Sequence, residues 1–180
     1  MAKLLPGNAA IFELFKGKWK LSRQVSDDSI QKITHIMKGE ASFTSLSIDH
    51  VLYEETVHID DHSVGTKKYL FILSDTSILQ YHFQPSSQQK LFPLTANHPD
   101  AIKMYNLNFI QYPPSKKMIS LGSYVCLPDQ YDVTYTFNTE TNFSTLYNII
   151  GPHKYQTIET SYTRIDDEAS LLGIIDTAPY

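Results

Sequence analysis

The stretch Gly17-Lys18-Trp19-Lys20-Leu21-Ser22-Arg23 decides the fold, because it has a counterpart in Thr160-Ser161-Tyr162-Thr163-Arg164 near the other end of the chain. Between them lie short segments, rich in Tyr and Phe, in which polar and apolar residues alternate and turn residues recur about every ten residues. This pattern is typical of an antiparallel meander, and a meander whose first and last strands pair closes without an unpaired edge. We therefore predict an all-β fold, a single closed antiparallel up-and-down β-barrel of about eight to ten strands.

Closure of this barrel would bring two particular side chains together. Trp19 lies near the start of the first strand and Arg164 lies on the last strand. If these strands pair, the guanidinium of Arg164 can lie over the indole face of Trp19 in a cation–π arrangement and cover that end of the barrel. We assign Trp19 and Arg164 to barrel closure.

The prediction extends over residues 1–180 as one domain, with the barrel over about 17–165 and a tail over 166–180. A chain of this length buries a sizeable core in one domain. Asn8 is a fair N-cap for a short helix over 8–16, whose apolar face would plug one end of the barrel. Strands are also expected over 90–94 and 106–110, and acidic residues from 166 onward predict a second short helix.

Composition argues against several classes of protein. The formal net charge of −4 argues against binding to nucleic acid or an anionic membrane. Charged residues make up 19% of the chain and aromatic residues 12%, a composition that argues against disorder. The single cysteine, Cys126, excludes an internal disulfide, and no Cys or His spacing is typical of a metal site, so we expect no metal or cofactor. No signal-peptide pattern or bilayer-spanning segment is present, which predicts a cytoplasmic protein.

An ordered set of short motifs carries a resemblance to a known family. After G-x-W-x-L-x-R come Gly39-x-Ala41-x-Phe43, Tyr53-x-Glu55, Cys126-x-x-Asp129-x-Tyr131, Gly151-Pro152-His153-Lys154 and Thr160-x-Tyr162-x-Arg164. Their order and spacing resemble the uncharacterised lipocalin-like (calycin-like) family known as domain of unknown function 6314, from Gly17 to Arg164. The resemblance implies a lipocalin-like barrel, but the family has no established activity that would imply a function. The chain departs from the family pattern at Tyr124, where the family has a His.

Two charged residues share the apolar faces of their strands. Because alternate residues of a strand face the same side, Arg23 shares a face with Trp19, and Glu55 shares a face with Tyr53. A buried charge must be paired or must change its protonation state, and Arg cannot lose its proton. Three interpretations stay open: a structural Arg23–Glu55 pair, an Arg23 that receives the carboxylate or phosphate of a ligand, and a Glu55 that acts as a general base.

Tyrosine is more frequent than phenylalanine, with 12 residues against 9. A phenol places an apolar ring in a core and a hydroxyl on a ligand or partner, so the excess of Tyr favours a partly polar cavity. We expect the polar part of this cavity to be lined by the candidate ligand-binding residues Arg23, Tyr53, Glu55, Tyr124, Cys126, Tyr131 and Tyr162. No base can be placed beside Cys126, which we expect to be a buried spectator rather than a nucleophile.

These residues favour a binding protein over two rival functions. The first hypothesis is a non-enzymatic protein that holds a small amphipathic or anionic molecule inside the barrel, with no catalytic residue. The second is a cofactor-independent enzyme, an isomerase, lyase or hydrolase, that uses Glu55 and a Tyr as an acid–base pair. The third is a protein-interaction module whose barrel is filled by side chains.

Overall fold

A computed structural model describes residues 7–59, 63–83 and 101–165 of the chain. These residues form one helix, α1 (Asn8–Phe15), and eleven strands. The strands are β1 (Gly17–Asp27), β2 (Lys32–Ser45), β3 (His50–His58), β4 (Val64–Leu73), β5 (Ile78–Phe83), β6 (Ala101–Leu107), β7 (Ile110–Tyr112), β8 (Lys117–Cys126), β9 (Asp129–Thr139), β10 (Asn142–Gly151) and β11 (Lys154–Arg164).

The strands form one curled antiparallel sheet in the order β6-β5-β4-β3-β2-β1-β11-β10-β9-β8-β7. The first and last strands pair, as the sequence predicts, with Trp19 the register partner of Arg164 and Leu21 that of Tyr162. The strands alternate in direction, so the turns 46–49, 74–77 and 140–141 lie at one end of the sheet, which we call the helix end. The turns 28–31, 127–128 and 152–153 lie at the opposite end, which we call the far end.

The inner face of the curled sheet carries the core. Buried positions alternate with more exposed ones along β1 and β9, because successive side chains of a strand point to opposite faces. The predicted helix is present, and Phe15 inserts into the core with its ring centroid 5.0 Å from that of Phe43 and 5.4 Å from that of Phe71. No helix within residues 7–59, 63–83 and 101–165 is long and apolar enough to span a membrane.

Asn8 does not cap the helix, contrary to the prediction. The N-cap is Gly7, and Asn8 is the first helical residue. Its side chain instead connects two turns at the helix end, donating to the carbonyl of Thr76 at 2.7 Å and accepting the N–H of Phe109 at 2.8 Å. The short polar side chain is therefore used to hold the turns rather than to begin the helix.

The strand predicted over 106–110 is divided in the structure. β6 ends at Leu107 and β7 begins at Ile110, because Phe109 turns into the core, where it is 5% exposed. The eleven strands also exceed the predicted eight to ten. The strand expected over 90–94 and the helix expected from 166 lie outside the described residues.

The two sides of the curled sheet approach each other at β6 and β8. Tyr105 of β6 lies against Gly122 of β8, where an added Cβ atom would come within 2.7 Å of the Tyr105 ring. The rings of Tyr105 and Tyr124 also meet, with their centroids 6.3 Å apart. A glycine at position 122 therefore leaves the space that the Tyr105 ring occupies.

Candidate ligand-binding site

A cavity of about 150 Å³ lies inside the curled sheet. Nine of its sixteen lining residues are aromatic: Phe43, Tyr53, Tyr69, Phe71, Tyr131, Tyr135, Phe143, Tyr147 and Tyr162. The charged residues of the lining are Arg23, Glu55 and Lys67. The cavity is thus an aromatic chamber with two positively charged residues and one negatively charged residue.

Arg23 and Glu55 form a buried ion pair in the wall of this cavity. The two terminal nitrogens of Arg23 donate to the two oxygens of Glu55 at 2.7 Å each, and Arg23 Nε donates to Thr160 Oγ1 at 2.9 Å. Burial lowers the pKa of Arg23, but the bond to Glu55 and the electrostatic interactions with Tyr162, Glu55 and Tyr53 together raise it. Burial raises the pKa of Glu55, but the guanidinium of Arg23, and then the charge of Lys67 and the bond from Tyr53, hold it below its usual value. Both groups are therefore charged, and each neutralises the other.

Two tyrosine hydroxyls adjoin this pair. Tyr53 donates its hydroxyl proton to Glu55, and the hydroxyl oxygens of Tyr53 and Tyr162 lie 3.1 Å apart. Burial raises the pKa of both phenols, so both stay protonated at neutral pH. The ring of Tyr162 stacks on Phe143 with 4.1 Å between centroids, which fixes the position of its hydroxyl.

A second hydrogen-bonded group is centred on Gln80, whose side chain is fully buried. The hydroxyl of Tyr135 donates to Gln80 Oε1 at 2.9 Å, and Tyr147 lies beside both residues. Four buried polar atoms have no hydrogen-bond partner among the described residues: Gln80 Nε2 and the hydroxyls of Tyr105, Ser120 and Thr145. Buried polar atoms are normally paired, so these atoms suit bound water molecules, and none of the four residues lines the cavity.

The strand register explains why so many polar groups lie at one level of the interior. Five inward-facing residues on adjacent strands are each the register partner of the next, and we call them the polar row: Ser120, Tyr135, Thr145, Thr160 and Arg23. The next level toward the helix end is aromatic, with Phe137 paired to Phe143. Three residues of the polar row, Tyr135, Thr160 and Arg23, line the cavity, so its mainly aromatic wall contains one polar band.

Lys67 of β4 is the third charged residue of the lining. It is the register partner of Glu55 and shares inward parity with Tyr69 and Phe71, toward the far end of its strand. It forms no hydrogen bond or ion pair with any described residue. Lys67 is exposed, so the cavity opens to solvent beside it, and we call this opening the mouth. Desolvation against the cavity wall, and then the charge of Arg23, lower the pKa of Lys67.

Five of the seven predicted ligand-binding residues line the cavity: Arg23, Tyr53, Glu55, Tyr131 and Tyr162. Tyr124 and Cys126 do not. Tyr124 is half-buried and packs against Tyr105 where β6 and β8 approach each other. Cys126 is exposed, so the expectation of a buried thiol is wrong. Cys126 is the last residue of β8 and adjoins the turn at the far end, so it lies past the end of the core.

Because Cys126 is exposed and lies outside the cavity, we expect Cys126→Ser to change the free energy of unfolding by less than about 0.5 kcal/mol. Urea unfolding of the two proteins measures this difference. The thiol should also react with a chromogenic disulfide reagent as completely in buffer as in urea. A thiol that reacts only after unfolding would contradict the exposed position.

The predicted contact between Trp19 and Arg164 is present at the helix end. The guanidinium carbon of Arg164 lies 4.3 Å from the centroid of the Trp19 ring, and Trp19 has no exposed surface. The terminal nitrogens of Arg164 donate to the carbonyls of Lys16 and Leu14 at 2.8 and 2.5 Å. Arg164 therefore covers the indole and also satisfies carbonyl groups at the end of α1.

Sequence reasoning missed Lys67, Tyr147 and Gln80 as parts of the interior. A signal for Lys67 exists, because the alternation that turns Phe71 inward also turns Lys67 inward. The same alternation, counted from Phe143, identifies Tyr147. Gln80 has no comparable signal, since its short strand has polar Gln80 and His82 on one face and apolar or aromatic residues on the other, a pattern that would turn Gln80 outward.

The described residues contain no group of three or more His, Cys, Asp or Glu side chains placed to hold a metal ion.

His82 lies beside the cavity wall, with its ring centroid 5.9 Å from that of Tyr69. Burial, and then the charge of Lys67, lower the pKa of His82. This histidine is therefore neutral at physiological pH.

Several solved structures resemble this fold. The S-type phycobiliprotein lyase CPES from Guillardia theta is 9% identical, with a TM-score of 0.63 over 90% of this chain and 94% of that one. A redesigned β-barrel is 10% identical, with a TM-score of 0.43 over 86% of this chain and 95% of that one. At 9% identity the likeness to the lyase shows a shared fold alone. No curated protein matches the sequence.

Residues 15–164 match the model of a family described as a family of unknown function (DUF6314). The matched region begins at the last residue of α1 and ends at Arg164, so it contains every described strand. It also contains the cavity lining and both members of the closure contact. The chain belongs to the family of unknown function DUF6314.

Proposed function

We propose that this chain is a small-molecule-binding protein with a lipocalin-like barrel, and that its cavity takes one aromatic or similarly flat apolar group of an amphipathic ligand. The lining of nine aromatic residues around about 150 Å³ of space is the observation that carries this proposal. A cavity of roughly this volume accommodates a benzene-sized group. A longer ligand would extend from the mouth past Lys67 and Tyr131.

The cavity also supports binding over the two rival functions. Open space in the core disfavours an interaction module with a filled barrel. A general base needs an available carboxylate with a pKa near the working pH. Glu55 has both oxygens bonded to Arg23, accepts from Tyr53, and has a lowered pKa. The arrangement therefore stabilises Glu55 as a fixed anion rather than as a proton acceptor.

The proposal includes closure of the sheet as a barrel. Hydrogen-bonded pairing runs from β6 through β1 and β11 to β7. The remaining gap is between β6 and β8, where Tyr105 packs against Gly122. Packing of side chains across this gap would complete the wall and exclude water from the side of the cavity.

We expect a neutral aromatic probe of matching size, benzamide, to bind saturably to the wild-type protein. Ile158→Trp should weaken this binding by at least about tenfold, because Ile158 lines the cavity and the larger indole would occupy it. Ligand-observed NMR titration, with thermal unfolding of each variant, measures binding and folding separately.

Ile150→Trp is the matched control for this experiment. Ile150 lies on β10 next to a lining residue but is 49% exposed on the outer face of the sheet. The same substitution there should leave benzamide binding unchanged. Equal binding by the wild type and both Trp variants would place the probe outside the cavity and overturn the proposal.

A further inference from the structure

The cavity lining carries one positive charge, that of Lys67, that is bonded to no described residue. Arg23 and Glu55 neutralise each other through two hydrogen bonds of 2.7 Å. Burial raises the pKa values of the lining phenols Tyr53, Tyr69 and Tyr162, so these add no negative charge at neutral pH. The lining therefore has a formal charge of about +1, which comes from Lys67.

The position of Lys67 makes this charge available to a ligand. Its register partner Glu55 is turned toward Arg23 and has no ion pair with Lys67. An ammonium group has three hydrogen-bond donors, and none of them meets an acceptor on a described residue. Lys67 also lies at the mouth, where the polar part of a ligand would remain after its aromatic part enters the chamber.

We propose that Lys67 is the anion-binding residue of this cavity, and that the ligand is an aromatic or flat apolar molecule with one carboxylate or similar monoanionic group. This inference rests on the proposed function and names the ligand class for the same site. An aromatic ring would pack among the tyrosines while the anion accepts hydrogen bonds from the Lys67 ammonium. Charge-assisted bonds of this kind are among the stronger contacts that a small ligand makes.

Arg23 then has a structural role instead of the receptor role considered from the sequence. Its terminal nitrogens are both bonded to Glu55 and its Nε is bonded to Thr160, so an incoming anion would have to displace Glu55. Displacement would leave a buried carboxylate without its partner, which is costly. Lys67 has no such partner to lose.

Three probes of nearly equal size and different charge test the proposal: benzoate, benzamide and benzamidine. We expect the wild-type protein at pH 7 to bind the anion benzoate more tightly than neutral benzamide, and benzamide more tightly than the cation benzamidine. Lys67→Gln should weaken benzoate binding by about tenfold and leave benzamide binding unchanged. Lys67→Glu should reverse the order, so that benzamidine binds best. Isothermal titration calorimetry or NMR titration gives the constants.

Lys68→Gln is the matched control, since Lys68 is the next residue of β4, faces the other side of the sheet and pairs with Glu54 at 2.5 Å. It should leave the affinities of all three probes unchanged. Benzamide binding reports folding and the intact chamber in every variant. If the wild type binds benzamide and benzoate equally, and Lys67→Gln changes neither, the assignment of Lys67 is wrong while the proposed function stands. If no probe binds to the wild type, the proposed function fails.

Discussion

Trp19→Ala is expected to destabilise the protein by about 3–5 kcal/mol, the range for removing a large buried aromatic side chain. Trp19 has no exposed surface, and its indole nitrogen donates to the carbonyl of Phe15 at 2.9 Å. The Trp19 ring meets the Phe143 ring edge-on with 4.8 Å between centroids, and the guanidinium of Arg164 lies over the Trp19 ring. The substitution therefore leaves a cavity, an unsatisfied carbonyl and an uncovered guanidinium at one place.

Urea unfolding followed by circular dichroism measures this loss, because the variant has no tryptophan fluorescence. Trp19→Phe is the matched variant. It keeps most of the apolar volume but removes the N–H donor, so we expect a smaller cost of about 1–3 kcal/mol. A loss below about 1 kcal/mol for Trp19→Ala would show that the paired first and last strands do not depend on this contact.

The Gly-x-Trp pattern predicted the pairing of the first and last strands because each residue in the pattern has its own structural role. Gly17 has φ of +117°, which other residues rarely adopt, and an added Cβ atom would lie 2.9 Å from Arg164 Nη1. Trp19 needs a cover at the helix end of the sheet, and Arg164 is its register partner. Such local requirements leave a trace in sequence. The break between β6 and β7 leaves none, since it depends on Phe109 finding space in a core built from distant segments.

The interior charges show the same limit within the site. Alternation along each strand correctly turned Arg23 and Glu55 inward, and it would also have turned Lys67 inward. Alternation does not say which charges meet, because this depends on register between strands separated in the sequence. The polar row is an example: its residues come from five strands, and only their pairing places them at one level. Alternation also fails to predict burial at strand ends. Cys126 occupies a position that alternation assigns to the inner face, but it lies beyond the core and is exposed.

The Arg23–Glu55 pair is expected to show strong coupling in a double-mutant cycle. Glu55→Leu leaves a buried guanidinium that cannot lose its proton, and we expect it to cost about 3–5 kcal/mol of unfolding free energy. Arg23→Met leaves a buried carboxylate, with a similar cost at pH 7. The double variant removes both charges, and it should lie within about 2 kcal/mol of the wild type. Urea unfolding of the four proteins gives the coupling energy.

The pH dependence of the single variants separates a charge effect from a packing effect. In the wild type, Arg23 lowers the pKa of Glu55, so the pair contributes stability above the ordinary glutamate pKa and loses it as the pH falls through the folded value. In Arg23→Met, burial without a partner should raise the pKa of Glu55, so protonation as the pH falls should relieve the destabilisation. Glu55→Leu has no such relief, because its unpaired guanidinium stays charged at every accessible pH. The difference in unfolding free energy between Glu55→Leu and the wild type should become smaller only where the wild type itself loses the contribution of the pair. As the pH is lowered, Arg23→Met should therefore approach the stability of the wild type at a higher pH than Glu55→Leu does.

Parallel pH profiles for the two single variants, or a double variant no more stable than the weaker single one, would mean that these side chains act through packing alone.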